Sequence, residues 1–462
     1  MPRSEDTEEG EAMRVSGLDG QVGASRPDAA PGGGAEAGSG TPAARRAVVS
    51  GALGSALEWF DFSVYGALSA TVFPQLFFPD LTPGVALLAS FATFGVGLVA
   101  RPLGGLVFGV LGDRLGRRNV LMATLLLMGA ASVLIGLLPT YASVGIVAPT
   151  ALVVLRFLQG FALGGELTGS QLMVMEHSPD RRRGIAGALM SVGSPISQVL
   201  ATLSLTGLAA WLTEEQFTGW GWRVPFLMSV ALIVVGYYIR HRVEETPAFL
   251  ASEAKNERAQ PARGLLRQHW RTVTLLVLAW AAPGALYYIT VTFATSYLTG
   301  RVGFDNSATF GLMVVANTVS IGASLLGGWS SDRIGRKRVL FIGLTVLLAF
   351  LLPFFLILDT GNWWLAAFAI TGALIGVQFM TGCQGAFYAE ALPTPIRYTG
   401  SALGLTCGNM VFAAPAPFLA TWLMQISDNG TALVTGYGLL TILVSAVAIR
   451  LLPDRTGRRL EA

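Results

Sequence analysis

The sequence predicts an all-α membrane protein of twelve transmembrane helices arranged as two six-helix bundles. Composition is the first reason: 52% of the 462 residues are hydrophobic and 13% charged, with a mean hydropathy of +0.58, whereas a soluble domain carries roughly 25% charged residues. Second, apolar stretches long enough to cross a bilayer recur between charged or turn-rich breaks. Third, the chain repeats itself. GDRLGRRNVL at 112–121 returns as SDRIGRKRVL at 331–340, and Glu176, Pro179 and Arg183 recur as Glu390, Pro393 and Arg397, each 214 residues later. A repeat in the same orientation, six spans per half, implies two bundles related by an axis along the membrane normal.

In chain order, residues 1–44 are rich in Gly, Ala, Pro and Glu and carry eight acidic against three basic residues. With no apolar period, 1–45 is expected to be a disordered cytoplasmic tail. It lacks the basic start and short apolar core of a secretory signal, so the first span is expected to target the chain to the membrane. Spans follow near 47–73, 86–110, 119–139, 146–175, 184–212 and 222–240, making an N-terminal bundle over 46–240. Residues 241–271 read as a polar cytoplasmic loop, with the character of a helix lying on the membrane surface. A C-terminal bundle over 272–452 has spans near 272–299, 306–328, 339–358, 363–389, 399–425 and 431–452, and 453–462 is a short cytoplasmic tail.

Basic residues divide unevenly between the two sides. Arg114, Arg117 and Arg118, the triplet Arg181 to Arg183, the basic residues of the central loop, the cluster Arg333 to Arg338, Arg397 and those after 449 fall on one side; only Arg223 and Arg301 fall on the other. This positive-inside bias predicts a multi-pass protein of the cell membrane with both termini cytoplasmic. Most of these arginines need no role beyond a solvated loop.

Motifs add a resemblance. The DR-x-G-RR and DR-x-G-RK loops resemble the signature of the major facilitator superfamily, over about residues 46–452. ALEWFDFSVYG, RPLGGLVFGVLGDRLGRR, RFLQGFALGGE, WGWRVPF and EETPAF together resemble its metabolite:proton symporter branch, which imports proline, betaine, shikimate, citrate, oxoglutarate and similar metabolites. The resemblance implies a major facilitator fold and proton-coupled import by alternating access. It also implies that Asp113, Arg117, Asp332 and Arg336 gate the cytoplasmic side, although helix capping is a competing role for each. Osmosensing relatives carry a coiled-coil C-terminal extension, and no heptad pattern follows Leu452, so an osmosensor role is not expected. GSPISQ at 193–198 matches the glycine-proline motif of the proton-driven drug exporters poorly, which disfavours export.

The stretch ALEWFDFSVYG places Glu58 and Asp61 in apolar surroundings. Glu58 lies 12 residues beyond Arg46, about 18 Å along a helix and near the bilayer midplane. Glu58, Asp61 and Tyr65 share one helix face. Arg101, Arg156 and Glu166 also fall at depth. Each such charge costs roughly 2.5–3.5 kcal/mol at the centre of a lone helix, so these five must face the protein interior, paired or wet. Buried ion pairs that fix helix contacts are the alternative role. Three acids against two arginines leave one carboxylate without a fixed cation, and burial favours its protonated form. Glu58, Asp61 and Glu166 are therefore the proton-coupling candidates. His177, His241 and His269 all fall in cytoplasmic segments.

Arginine's planar fork suits a substrate carboxylate, which makes Arg101 and Arg156 substrate-binding candidates together with Tyr65 and Gln159. In the second half the candidates are Trp280, Tyr287, Asn317 and Gln378. An aromatic stripe of Trp280 and Tyr287 suits a quaternary ammonium by cation–π attraction; packing between helices is the competing reading for the rings and the amides.

Other classes find little support. The only lysines, Lys255 and Lys337, follow no P-loop glycine pattern, and no HExxH, Cys/His cluster or nucleophile elbow occurs. Cys383 and Cys407 fall in apolar spans, where a disulfide framework or a metal site is not expected. The expectation is a non-enzymatic, monomeric transporter with no cofactor beyond the proton gradient, taking protons and a small molecule as partners in a lipid bilayer and binding no nucleic acid. The alternatives are a proton antiporter exporting a metabolite or antibiotic, and a non-transporting membrane sensor.

Overall fold

The structure is a computed structural model that describes residues 59–115, 117–164, 182–241, 262–454 and 456. Glu58, Glu166, the N-terminal tail and most of the central loop lie outside the described residues, as do the side chains of Asp113 and Arg117. The described chain is helical, with no strand. The long helices, labelled in order, are α1 (59–71), α2 (Pro83–Leu115), α3 (Arg117–Leu137), α4 (Val147–Leu163), α5 (Arg183–Trp211), α6 (Val224–His241), α7 (Ala262–Ala279, continuing through shorter turns to Val302), α8 (Asn306–Ile334), α9 (Arg336–Leu351), α10 (Trp363–Ala391), α11 (Thr394–Gly408, continuing to Ile426) and α12 (Ala432–Leu451).

Seven of the described helices are long and apolar enough to cross a membrane, and two shorter apolar segments lie in α3 and α4. Most helix limits follow the hydropathy breaks closely, but α7 begins at Ala262, ten residues before the span expected from 272 and inside the expected loop 241–271. The spans expected near 306–328 and 363–389 extend to Ile334 and Ala391, because a helix continues past the apolar layer until a capping residue ends it. Asp305 opens α8 by accepting the Ala308 N–H at 2.6 Å, and Asn362 opens α10 by accepting from Trp364 and Leu365. The turn between α8 and α9 needs Gly335, whose φ of +97° is a conformation that side chains disfavour.

α2 packs on α4, and α8 packs on α10. Both crossings bring backbones into contact. A Cβ at Gly160 would run into the Gly97 carbonyl, and one at Gly382 into the Ser324 carbonyl. Small residues permit such approach where lipid supplies no hydrophobic drive for association. The internal repeat thus reappears as two matching crossings, and the first sets Arg156 of α4 against α2.

Between the halves, α5 packs along α8 and α2 touches α11. α7 departs from regular helix at Ile289–Phe293 and Leu298–Val302, and α11 at Asn409–Ala413, each a π-helical turn. Such turns often sit at functional sites. The first of them borders the central cleft.

Candidate functional site

A narrow cleft lies where α1, α2 and α5 face α7 and α8. Its wall is largely aromatic: Trp59, Phe62 and Phe94 on one side, Tyr287, Tyr288 and Phe310 on the other. Ring centroids stand 5.0 Å apart for Phe62 and Phe94, 5.2 Å for Phe94 and Tyr288, and 5.1 Å for Tyr287 and Tyr288. Ser63, Gln198, Thr202, Thr292 and Thr295 add hydroxyl and amide groups. Tyr287 reaches the Gln198 side chain with a long hydrogen bond of 3.4 Å. Rings from both halves thus meet around one space.

Directly behind Phe62 stand the two arginines expected at depth. The guanidinium carbon of Arg156 lies 4.1 Å from the Phe62 centroid and 4.1 Å from that of Tyr65, and that of Arg101 lies 4.6 Å from Phe62. Ring faces attract cations, more strongly when water is excluded. Arg156 is fully buried. Its Nη1 donates to Gln159 Oε1 at 2.5 Å, while its Nε and Nη2 have no oxygen partner among the described residues.

Gln159, one turn along α4, passes the connection on. Its Nε2 donates to Ser132 Oγ of α3 at 2.7 Å, Ser132 donates to Asp61 Oδ2, and Ser229 Oγ of α6 donates to Asp61 Oδ1 at 2.5 Å. Asp61 is 3% exposed. The carboxylate therefore receives a hydroxyl on each oxygen and joins four helices of the N-terminal half. Tyr65 stands alongside, its hydroxyl bonded to Thr93 Oγ1 at 2.7 Å.

The structure gathers Asp61, Tyr65, Arg101, Arg156 and Gln159 into one layer, but behind the cleft and not on it. Of the substrate-binding candidates, only Tyr287 lines this space among the described residues. Trp280 donates to Asn409 Oδ1 at 2.8 Å and borders a second, smaller cleft with Gln384 and Tyr388. Asn317 is fully buried and bonds back to the Met313 carbonyl at 2.8 Å. Gln378 is buried on α10. The sequence reading missed Ser132 and Ser229, because serines in apolar spans carry no pattern of their own. It also missed most of the ring wall, because aromatic residues at helix contacts are ordinary.

A second cluster closes the end of the molecule that bears the DR-x-G loops. Asp332 accepts the backbone N–H groups of Gly184 at 2.8 Å and Ile185 at 2.9 Å, at the start of α5. Arg336 pairs with Asp332 at 2.6 Å and with Glu390 at 3.0 Å, and Arg183 approaches Glu390 at 3.9 Å. Burial by itself would lower the Arg336 pKa, but the two carboxylates offset this and hold it above the ordinary arginine value. Glu390 was visible in the sequence only as a member of the repeat spaced by 214 residues, and Arg183 as a member of that repeat and of the basic triplet. Close packing reinforces the contact, since a Cβ at Gly328 would meet Ala188 and the Gly184 carbonyl.

Paired helical halves around a ring-lined cleft, with buried charge beside it, define a multi-pass membrane carrier of small molecules. The sequence model of the Major Facilitator Superfamily matches residues 51–415. The inner membrane metabolite transport protein YhjE of Escherichia coli K12 is 38% identical over 387 residues, which cover 82% of this chain and 87% of that protein. The glycine betaine/proline/ectoine/pipecolic acid transporter OusA of Dickeya dadantii is 33% identical over 428 residues, 90% of this chain and 84% of that one. A solved D-xylose-proton symporter superposes with a TM-score of 0.72 at 17% identity, over 90% of this chain and 100% of that one; at that identity the likeness speaks for the fold. The chain belongs to the Major Facilitator Superfamily. It is a membrane transporter of metabolites and not an enzyme.

Proposed function

We propose that the protein imports a small zwitterionic or carboxylated metabolite together with protons, by alternating access of two six-helix bundles, 46–240 and 272–452, with both termini in the cytoplasm. The observation that carries this reading is the hydrogen-bonded line from Asp61 to Arg156, which ends against the ring wall of the cleft. Asp61 is the group that takes up and releases the proton. A buried carboxylate sharing its surroundings with a buried cation is costly to leave unpaired, so protonation of Asp61 withdraws the anion that balances Arg156. A substrate carboxylate in the cleft, across the Phe62 ring from Arg156, then restores the balance of charge, and proton and substrate are favoured in the same state.

The cleft favours a zwitterion with an alkylated ammonium over a plain organic acid. Several ring faces around one space suit a cation that carries its own apolar surface, and two arginines stand behind one of those rings. The name of the Dickeya relative, with glycine betaine and proline in it, agrees with this preference. The Asp332, Arg336 and Glu390 cluster acts as the cytoplasmic latch, and the Asp113 loop is its counterpart in the first half.

The test is the internal pH of proteoliposomes holding the purified protein, with betaines, amino acids and organic acids added outside in turn. Substrate-dependent acidification of the lumen supports proton-coupled import. Alkalinisation would turn the reading to antiport. Silence across the panel would leave a membrane protein without demonstrated transport and would reopen the sensor alternative.

A further inference from the structure

We infer that Gln159 is the positioning residue that couples the proton site to the substrate site, an inference that rests on the transport reading above. Among the described residues Asp61 and Arg156 make no direct ion pair with each other; Gln159 and Ser132 stand between them. Every hydrogen bond in the line points the same way. Arg156 donates to Gln159, Gln159 donates to Ser132, and Ser132 donates to Asp61. An amide is suited to this place because it offers an acceptor on one atom and donors on the other. Its orientation is fixed from both ends: Oε1 must face the guanidinium, and Nε2 must face the serine.

Protonation acts on the far end of this line. A carboxylate only accepts, whereas a carboxylic acid donates from one oxygen. When Asp61 Oδ2 takes a proton, Ser132 loses its acceptor there and must turn its own hydrogen elsewhere, so the lone pairs that received Gln159 Nε2 are redirected. The amide is then free to turn away from Arg156, which is fully buried and keeps two further N–H-bearing nitrogens without an oxygen partner among the described residues. The guanidinium is left needing an anion. Neither Gln159 nor Arg156 lines the cleft, so Gln159 acts through the charge of Arg156 behind the Phe62 ring and not on substrate directly.

The groups that face these two charges are few among the described residues. Asp61 meets the hydroxyls of Ser132 and Ser229, the charge of Arg156 and the amide of Gln159; Arg156 meets Asp61 and Tyr65 of α1, Arg101 of α2 and Tyr288 of α7. Of these, only the line through Gln159 joins the carboxylate to the guanidinium by hydrogen bonds.

The experiment uses the full chain in proteoliposomes and the panel compound that gives the largest wild-type acidification. Under an inward gradient of one pH unit, symport of one proton per substrate accumulates substrate about tenfold. Gln159→Leu keeps a comparable bulk and removes both hydrogen bonds. The expected result is an accumulation ratio near one, with downhill counterflow persisting at a reduced rate and with substrate affinity no longer dependent on pH. A merely structural role would lower rate and accumulation together and leave the pH dependence of affinity intact. Ser132→Ala breaks the same line without touching Arg156 and should uncouple in the same way, which keeps the test decisive if Gln159→Leu does not insert. Tenfold accumulation retained in either variant overturns the role of Gln159 alone. Wild-type silence overturns the transport reading and the inference with it.

Discussion

The Asp332 carboxylate accepts the backbone N–H of Gly184 at 2.8 Å, joining the end of α8 to the beginning of α5 across the two halves of the chain. Hydrogen bonds from a helix N-terminus to a carboxylate gain from both the orphan donors and the helix dipole. The contact is sheltered, with the Asp332 side chain 10% exposed.

Asp332→Asn should loosen this end. Hydrogen bonds to a charged group contribute about 1.5–3 kcal/mol, so losing the charge shifts the balance between closed and open forms by about 2 kcal/mol, roughly thirtyfold. Spin-label distances between the starts of α5 and α9 should broaden toward longer values in the variant, and an unchanged distribution would show that the latch lies elsewhere.

Asp61→Asn should abolish proton-driven accumulation while leaving the protein in the membrane. The amide keeps the size of the carboxylate and can still accept from one serine, so folding is preserved; what disappears is the site for the proton. Counterflow should continue without a pH dependence. Accumulation at the wild-type ratio would remove Asp61 from the coupling role.

Ring-to-aliphatic changes should distinguish the substrate classes. Phe94→Leu retains apolar volume but removes a π face, so affinity for a betaine should fall by about 2- to 30-fold, the equivalent of about 0.5–2 kcal/mol of cation–π attraction. Affinity for an organic acid without an ammonium should change little. Equal losses for both would identify the ring as a packing element.

Gly160→Ala should impair the N-terminal half as a whole. The new methyl group meets the Gly97 backbone, which cannot rotate out of the way as a side chain can. Overpacking of this kind costs about 1–3 kcal/mol. A lower melting temperature of the detergent-solubilised protein is expected, with transport lost in proportion; an unshifted melting temperature would mean that α2 and α4 stand further apart.

The membrane character and the order of helices were readable without coordinates. Hydropathy and length act residue by residue along one helix, as α8 and α10 illustrate, so they survive in a linear reading. The repeat was readable too, since Asp332 and Arg336 sit in a motif copied from the first half, and the structure brings those two side chains together. Asp61, Arg156 and Gln159 stood out because ionisable and amide groups are conspicuous among apolar neighbours.

Position relative to the cleft was not readable. Arg101 and Arg156 suggested direct contact with substrate, yet both lie behind Phe62, and Trp280 borders a different space. Helix periodicity says which residues share a face, but it does not say what that face meets.

Chain chemistry alone therefore settled that this is a helical membrane protein with charge held in its interior, because the cost of exposing backbone and charge to lipid is the same wherever a helix packs. Tertiary structure decided that Ser132 and Ser229 hold Asp61, that Gln159 faces both ways, and that rings from opposite halves share one wall. Those outcomes depend on how far each helix is turned about its axis and how closely α2 and α4 approach at Gly160, and both are set by packing between segments distant in sequence.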